Sequence, residues 1–281
     1  MGRYTIVSEL GRGACGVVFR ARDSALDREV AIRVLWPHLT GDREVVGRLH
    51  REVEVLCRLS HPNVVKILGS GTIGERQFVA LELVNGADLG RRTGQAGRPQ
   101  MEEVLSWLTQ ASEALAYLHE NRIAHRGIRP GNLMVDPMGH LTVMDPGLAL
   151  DAGLLVSTEP DSTVGAARYL PPEASRNEPP FLPQDVWALA ITAHELLTGS
   201  AWCEPLATEA MVRRVRTDPP PTLEGLLAEA PAWLIELQRR ALEKDPEKRL
   251  LAADYRDSLA EGLTMVSTQR LPVRPRRPPR P

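Results

Sequence analysis

Gly11-Arg12-Gly13-Ala14-Cys15-Gly16-Val17-Val18 stands between two runs that read as strands, Tyr4 to Leu10 and Val17 to Arg22. The spacing is G-x-G-x-x-G-x-V. Glycines so placed let a backbone approach phosphate oxygens with no side chain in the way. A glycine hairpin that binds nothing would look the same, so the loop alone leaves both readings open. The dinucleotide-binding crossover fails its context test. It needs a helix directly after the loop, and here a strand follows.

Outward from the loop the strand signal continues. Glu29 to Leu35 reads as a third strand, and Val64 to Gly71 and Gln77 to Val84 as two more. Between them a helix is expected from about Asp42 to Leu59, with Leu49, Val53 and Leu56 on one stripe. After Asn85-Gly86 the period changes. Glu102 to His119 carries Val104, Leu108, Ala111, Leu115 and Leu118 on one helical face. Asp185 to Leu197 is apolar all round, as in a helix buried inside a larger core. Pro231 suits the first turn of a helix carrying Leu234, Leu237 and Ala241. The expected organisation is a strand-rich lobe over about 1–84 and a helical lobe over about 88–265, joined near Leu83 to Gly90. Residues 266–281 read as a tail or linker, because Arg270 to Pro281 is dominated by Arg and Pro and keeps no apolar period.

Composition narrows the function class. The chain has 281 residues, 43% hydrophobic and 25% charged, with net charge -2. That suits a folded domain and argues against a nucleic-acid partner held by overall charge. Cys15, Cys57 and Cys203 share no metal-ligand spacing, and a disulfide framework is not expected. No run reaches the roughly 18 uninterrupted apolar residues of a membrane helix, and no leader is evident, so a cytoplasmic location is the expectation. Only three of the 34 basic residues are lysines, Lys66, Lys244 and Lys248.

Further motifs follow the loop in a fixed order. They are Val30-Ala31-Ile32-Arg33; Glu52, ahead of His61-Pro62-Asn63; and His125-Arg126-Gly127-Ile128-Arg129-Pro130-Gly131-Asn132. Then come Met144-Asp145-Pro146-Gly147, Tyr169-Leu170-Pro171-Pro172-Glu173, Asp185-Val186-Trp187, and Asp245-Pro246 with Arg249. In this order the chain resembles the protein kinase family, and within it the bacterial Ser/Thr type, over about 4–262. The resemblance implies an α+β, bilobal protein-kinase-like fold, with a small β-rich N-lobe and a larger α-helical C-lobe. It implies a cleft for ATP and Mg2+. By resemblance, Gly11, Gly13 and Gly16 cover the phosphates. Val18, Ala31 and Met134 sandwich the adenine, Leu81 is the gatekeeper, and Glu82 and Val84 form the hinge. Asp88 meets the ribose, and Asn132 and Asp145 hold the metal. Glu173 and Arg249 match a buried ion pair, Asp185 matches the residue that hydrogen-bonds the catalytic-loop backbone, and His125 and Arg126 are kept as well.

Several positions depart from the family pattern. The strand lysine that pairs with the phosphates and with the helix glutamate, here Glu52, is Arg33. The aspartate that accepts the substrate proton is Gly127. The lysine two residues later is Arg129. The phenylalanine after the metal aspartate is Pro146, and the threonine facing the catalytic aspartate is Ala166. Arginine keeps the charge of lysine but not its shape. Drift in a lysine-poor chain accounts for the arginines without restoring the geometry. Glycine accepts no proton, and a lost general base costs about 10²–10⁴-fold in rate. No catalytic set is therefore intact. The expectation is a pseudokinase that binds ATP with magnesium, transfers phosphate poorly or not at all, and acts on a protein partner such as an active kinase or its substrate. Two alternatives stand beside it. One is an atypical Ser/Thr kinase of low turnover. The other is a structural module with an empty cleft, in which Arg33 pairs directly with Glu52. Ser157, Thr158, Ser162 and Thr163 lie where a phosphate could pair with Arg126.

Overall fold

Alternation along the third strand sets the inner and outer faces of the first lobe. Ala31 and Leu35 enter the main core, whereas Val30 and Ile32 join a smaller cluster with Ala21, Phe78 and Ala80 on the opposite face. Arg33, midway between Ala31 and Leu35, shares the inner face. In this computed structural model the described residues are 2–13, 15–41, 43–147, 167–173, 182–203, 208–227 and 230–269. Five strands form one antiparallel sheet in the order β1-β2-β3-β5-β4: β1 (Tyr4–Gly13), β2 (Gly16–Asp23), β3 (Arg28–Leu35), β4 (Ile67–Ile73) and β5 (Arg76–Glu82). Helix α1 (Arg43–Leu56) packs beside β4 and buries Leu49, Val53 and Leu56, the three residues of its apolar stripe.

The chain leaves β5 and crosses to the second lobe through 83–86. Gly86 is required there by close approach: a Cβ on it would lie 2.5 Å from the Val135 carbonyl oxygen. A small sheet follows, of β6 (Ala87–Asp88), β7 (Leu133–Val135) and β8 (Leu141–Val143), with Asp88 opposite Met134. The helical lobe holds α2 (Leu89–Ala96), α3 (Met101–Glu120), α4 (Gln184–Thr198), α5 (Thr208–Thr217), α6 (Ala232–Ala241) and α7 (Ala252–Gln269). α3 packs against α4 and α7 and buries its whole predicted stripe. α4 is buried on nearly every side, as its composition demands. The main core runs on from the inner face of the sheet into these helices.

Some boundaries differ from those read in the sequence. α1 ends at Leu56 rather than Leu59, because 57–59 close in tight turns before His61-Pro62. Pro231 is the N-cap of α6, one residue before its first turn. α7 runs to Gln269, so 266–269 are helical rather than part of the tail. Residues 270–281, Ala166 and the four hydroxyl residues from Ser157 to Thr163 lie outside the described residues.

One buried ion pair ties the segment at Glu173 to the end of the helical lobe. Arg249 Nη1 and Nη2 donate to Glu173 Oε1 and Oε2 at 2.5 and 2.9 Å. Its Nε donates to the Glu243 carbonyl at 2.8 Å, and the guanidinium lies over the Trp187 ring. The Arg249 side chain has no solvent exposure. Removing one charge strands the other in a dry site, which typically costs about 3–5 kcal/mol. Glu173→Gln is expected to lower the unfolding free energy by that order in urea titrations. A loss under about 1 kcal/mol would show that the pair is not a principal fastening of this lobe.

Candidate nucleotide cleft

The cleft is built where β2, β3 and β5 of the first lobe face β7 and the 125–132 loop of the second. Backbone register places Val18 opposite Arg33 and Ala31 opposite Leu81. Cross-strand neighbours share a face, so these four residues lie on the inner side of the sheet. Ala31 and Leu81 are buried, while Val18 is partly covered. Glu82 ends β5, and Leu83 and Val84 pack partly buried against the main core. Met134 lies half-buried on β7 beside Asp88. The apolar wall expected of an adenine site is thus present.

The glycine-rich segment forms the β1–β2 hairpin above this wall. Gly16 takes φ 155, and a Cβ there would lie 2.0 Å from the Val34 carbonyl oxygen, so no side chain fits. A Cβ on Gly13 would meet nothing within 4 Å, and one on Gly11 would meet only Arg91 Nη2, at 3.7 Å. The loop is therefore packed on the sheet at one glycine and open at the other two. That is the shape a phosphate cradle needs, and the residues present fit a nucleotide.

The 125–132 loop is held from below by Asp185. Its carboxylate accepts from the backbone N–H groups of His125 and Arg126, at 2.7 and 2.8 Å, and lies 2.9 Å from His119 Nε2. His125 is fully buried. Its Nε2 donates to the Met144 carbonyl at 2.7 Å, and its Nδ1 accepts from the Gly127 N–H at 3.1 Å. One nitrogen donates and the other accepts, which is the pattern of a neutral ring. Burial holds the His125 imidazole below its usual range against the pull of Asp185. Arg126 adopts a left-handed backbone, φ 64, and so does Asp145, φ 61. Such conformations cost energy in non-glycine residues and gather at functional sites.

Gly127 is not forced to be glycine. Its φ is not positive, and a Cβ there would meet Asn132 Nδ2 at 3.4 Å and His125 ring atoms at 3.7 Å, which are ordinary contacts. Asn132 Nδ2 donates to the Gly127 carbonyl at 2.7 Å. A side chain could stand here, so the missing carboxylate is a chemical loss rather than a steric requirement.

Arg33 makes a different pairing from the one expected. Its Nη1 lies 2.5 Å from Asp145 Oδ1, in an orientation that is not an aligned hydrogen bond. Charge attraction holds the two together. The pair is largely buried, at 15% and 19% side-chain exposure. Burial alone would lower the Arg33 pKa, but the attraction of Asp145 outweighs it and the value rises. Glu52 stands half-buried on α1; the ion pair of Arg33 is with Asp145 instead, so the direct Arg33–Glu52 pairing envisaged for an empty cleft is not found. The Cys15 thiol of the hairpin is pushed up by burial, and it also feels Arg33, Asp145 and Arg129.

Asp88 also has work of its own. It caps α2 by accepting from the Arg91 N–H at 2.9 Å, and Arg91 Nε lies 3.3 Å from its other oxygen. Arg91 thus reaches from Asp88 toward Gly11 at the cleft mouth, a placement that sequence reasoning missed. The i, i+3 spacing of Asp88 and Arg91 was the available signal.

At the two expected magnesium ligands, Asp145 and Asn132, one charge already stands in the way of a metal ion. Among the described residues no three His, Cys, Asp or Glu side chains gather to hold a metal. Of the two expected ligands, Asp145 has a guanidinium on one carboxylate oxygen and Asn132 is a neutral amide. Magnesium demands near-octahedral oxygen ligation, and a cation already stands at its carboxylate.

Comparison with known proteins agrees with this geometry. The family described as "Protein kinase domain" matches residues 4–258. The serine/threonine-protein kinase PrkC of Bacillus subtilis is 31% identical over 270 residues, which cover 96% of this chain and 41% of PrkC. PknB of Mycobacterium tuberculosis is 32% identical over 272 residues, 92% of this chain and 42% of that protein. The chain thus spans about two fifths of these relatives' length. The crystal structure of the M. tuberculosis PknI kinase domain superposes with a TM-score of 0.74 at 26% identity, covering 92% of this chain and 96% of that one. From the glycine hairpin to the Arg249 anchor, the chain is a member of the protein kinase family, of the bacterial Ser/Thr type.

Proposed function

We propose that this kinase-fold module is a pseudokinase: it binds ATP in the cleft, transfers phosphate poorly or not at all, and acts by regulated binding to a protein partner such as an active kinase or its substrate. The observation that carries this reading is Gly127. The family places a carboxylate at that position to orient and deprotonate the incoming hydroxyl. Here the position has room for a side chain and has none. Among the described residues, two acids flanking the loop serve elsewhere: Asp145 faces Arg33, and Asp185 is enclosed by two backbone N–H groups and His119. Loss of base and positioning together costs about 3–5 kcal/mol of barrier or more.

The structural anchors survive. The Asp185 cradle and the Glu173–Arg249 pair hold a kinase-shaped surface without regard to turnover. Nucleotide occupancy would bias the relation between the lobes, because the cleft draws on both. A bound nucleoside triphosphate supplies the charge and the shape, and the chain supplies the grip. Val18, Ala31 and Leu81 take the base, and the hairpin amides with Arg33 and Arg129 take the phosphates. The reading places the module in the cytoplasm. It treats 270–281 as a linker or docking tail.

A second reading, an atypical Ser/Thr kinase of low turnover, draws support from the kinase relatives. Most phosphoryl-transfer catalysis is electrostatics and positioning. Two measurements separate the readings. In a radiolabelled transfer assay with a generic protein substrate, the wild-type chain is expected to be indistinguishable from Asp145→Ala; robust transfer abolished in that variant would establish the active kinase. Gly127→Asp with Arg33→Lys is expected to raise transfer by about 10²-fold or more if base and lysine are what is missing. No gain would put the defect at Pro146 and Ala166 as well.

A further inference from the structure

Asp145 is the one carboxylate of the cleft that the family gives to a metal, and here it already has a cation. The Arg33 guanidinium approaches it from β3, across the two lobes, at 2.5 Å. Arginine does not lose its charge in a protein, so this cation is permanent. Neither member is open enough to water to be strongly screened, with exposures of 15% and 19%.

We propose that the Arg33 guanidinium stands in for the metal at Asp145, so that the cleft takes a nucleoside triphosphate without magnesium. The proposal rests on the nucleotide-binding part of the proposed function. A metal in such a site does two things: it neutralises the carboxylate, and it presents positive charge to phosphate oxygens. The guanidinium does both. One nitrogen faces Asp145, and a guanidinium carries further N–H donors of the kind that match phosphate, the geometry in which arginine exceeds lysine. Register fixes where the fork lies. Val18 stands opposite Arg33 and Gly16 opposite Leu35, so the group sits directly under the hairpin. Arg129, on the 125–132 loop of the other lobe, carries a second guanidinium. The Arg33 guanidinium thus neutralises Asp145 before any ion arrives. A divalent ion entering beside Asp145 would have to displace Arg33 or stand against it, like charge to like charge.

The test is ATP affinity of the intact chain, measured by calorimetry with EDTA and again with excess magnesium. The expected result is saturable binding whose dissociation constants agree within about threefold. Arg33→Met, which frees Asp145, is expected to weaken binding in EDTA and to make the remaining affinity depend on magnesium. Should that variant unfold, the wild-type ratio decides alone. Magnesium tightening wild-type binding by more than about threefold overturns this inference and leaves the nucleotide-binding reading standing. Absence of saturable binding in both buffers overturns the two together.

Discussion

An ion pair, Arg33 with Asp145, couples the halves of this molecule at the cleft. Arg33 comes from a strand whose inner face also carries Ala31 and Leu35, and Asp145 follows β8 on the far side of the cleft. Asp145 is in turn held by its neighbour, because Met144 donates its N–H to the Asn132 carbonyl and accepts from His125. A displacement of Arg33 would thus be felt through Asp145, the 125–132 loop and the Asp185 cradle. Taking two charges out of water is expensive, and their attraction offsets the cost only when they stay together. The pair therefore favours a defined closure of the lobes over a loose one.

The same pair changes what the cleft can do. In the family pattern, lysine, helix glutamate, aspartate and metal share the work of holding a triphosphate. Here one guanidinium meets the aspartate directly, and the loop that should supply a base supplies Gly127. Binding and turnover rest on different atoms, so one can persist without the other. The apolar wall of Val18, Ala31 and Leu81 and the clearance at Gly16 concern binding. The carboxylate missing at Gly127 concerns turnover alone.

Much of this was legible in the chain because it is local. Runs of β-branched and apolar residues marked β1 to β5 to within a few residues, apolar stripes marked α1, α3 and α6, and all-round apolarity marked α4. The elements not read were those whose signal is weak at short range. β7 and β8 have three residues each, too few for alternation to register. α2 contains Gly90 and Gly94, poor helix formers, and depends on the Asp88 cap to start. α7 has little apolar bulk for its length, and its helical state depends on packing against α3. The site residues were found because glycine spacing and the order of charged motifs are sequence properties. Arg91 was missed because its role arises only where the hairpin comes down on the start of α2.

The chain by itself determined which groups are present: the glycines, the arginines in place of lysines, and no carboxylate at 127. These are facts of composition and order, and no folding can alter them. Only the tertiary structure decided which charge meets which. Arg33 had two carboxylates in prospect, Glu52 on α1 and Asp145 beyond β8, and its own sequence carries no preference between them. That choice depends on where two separately built lobes come to rest, and a guanidinium long enough to cross the cleft takes the acid that closure brings nearest.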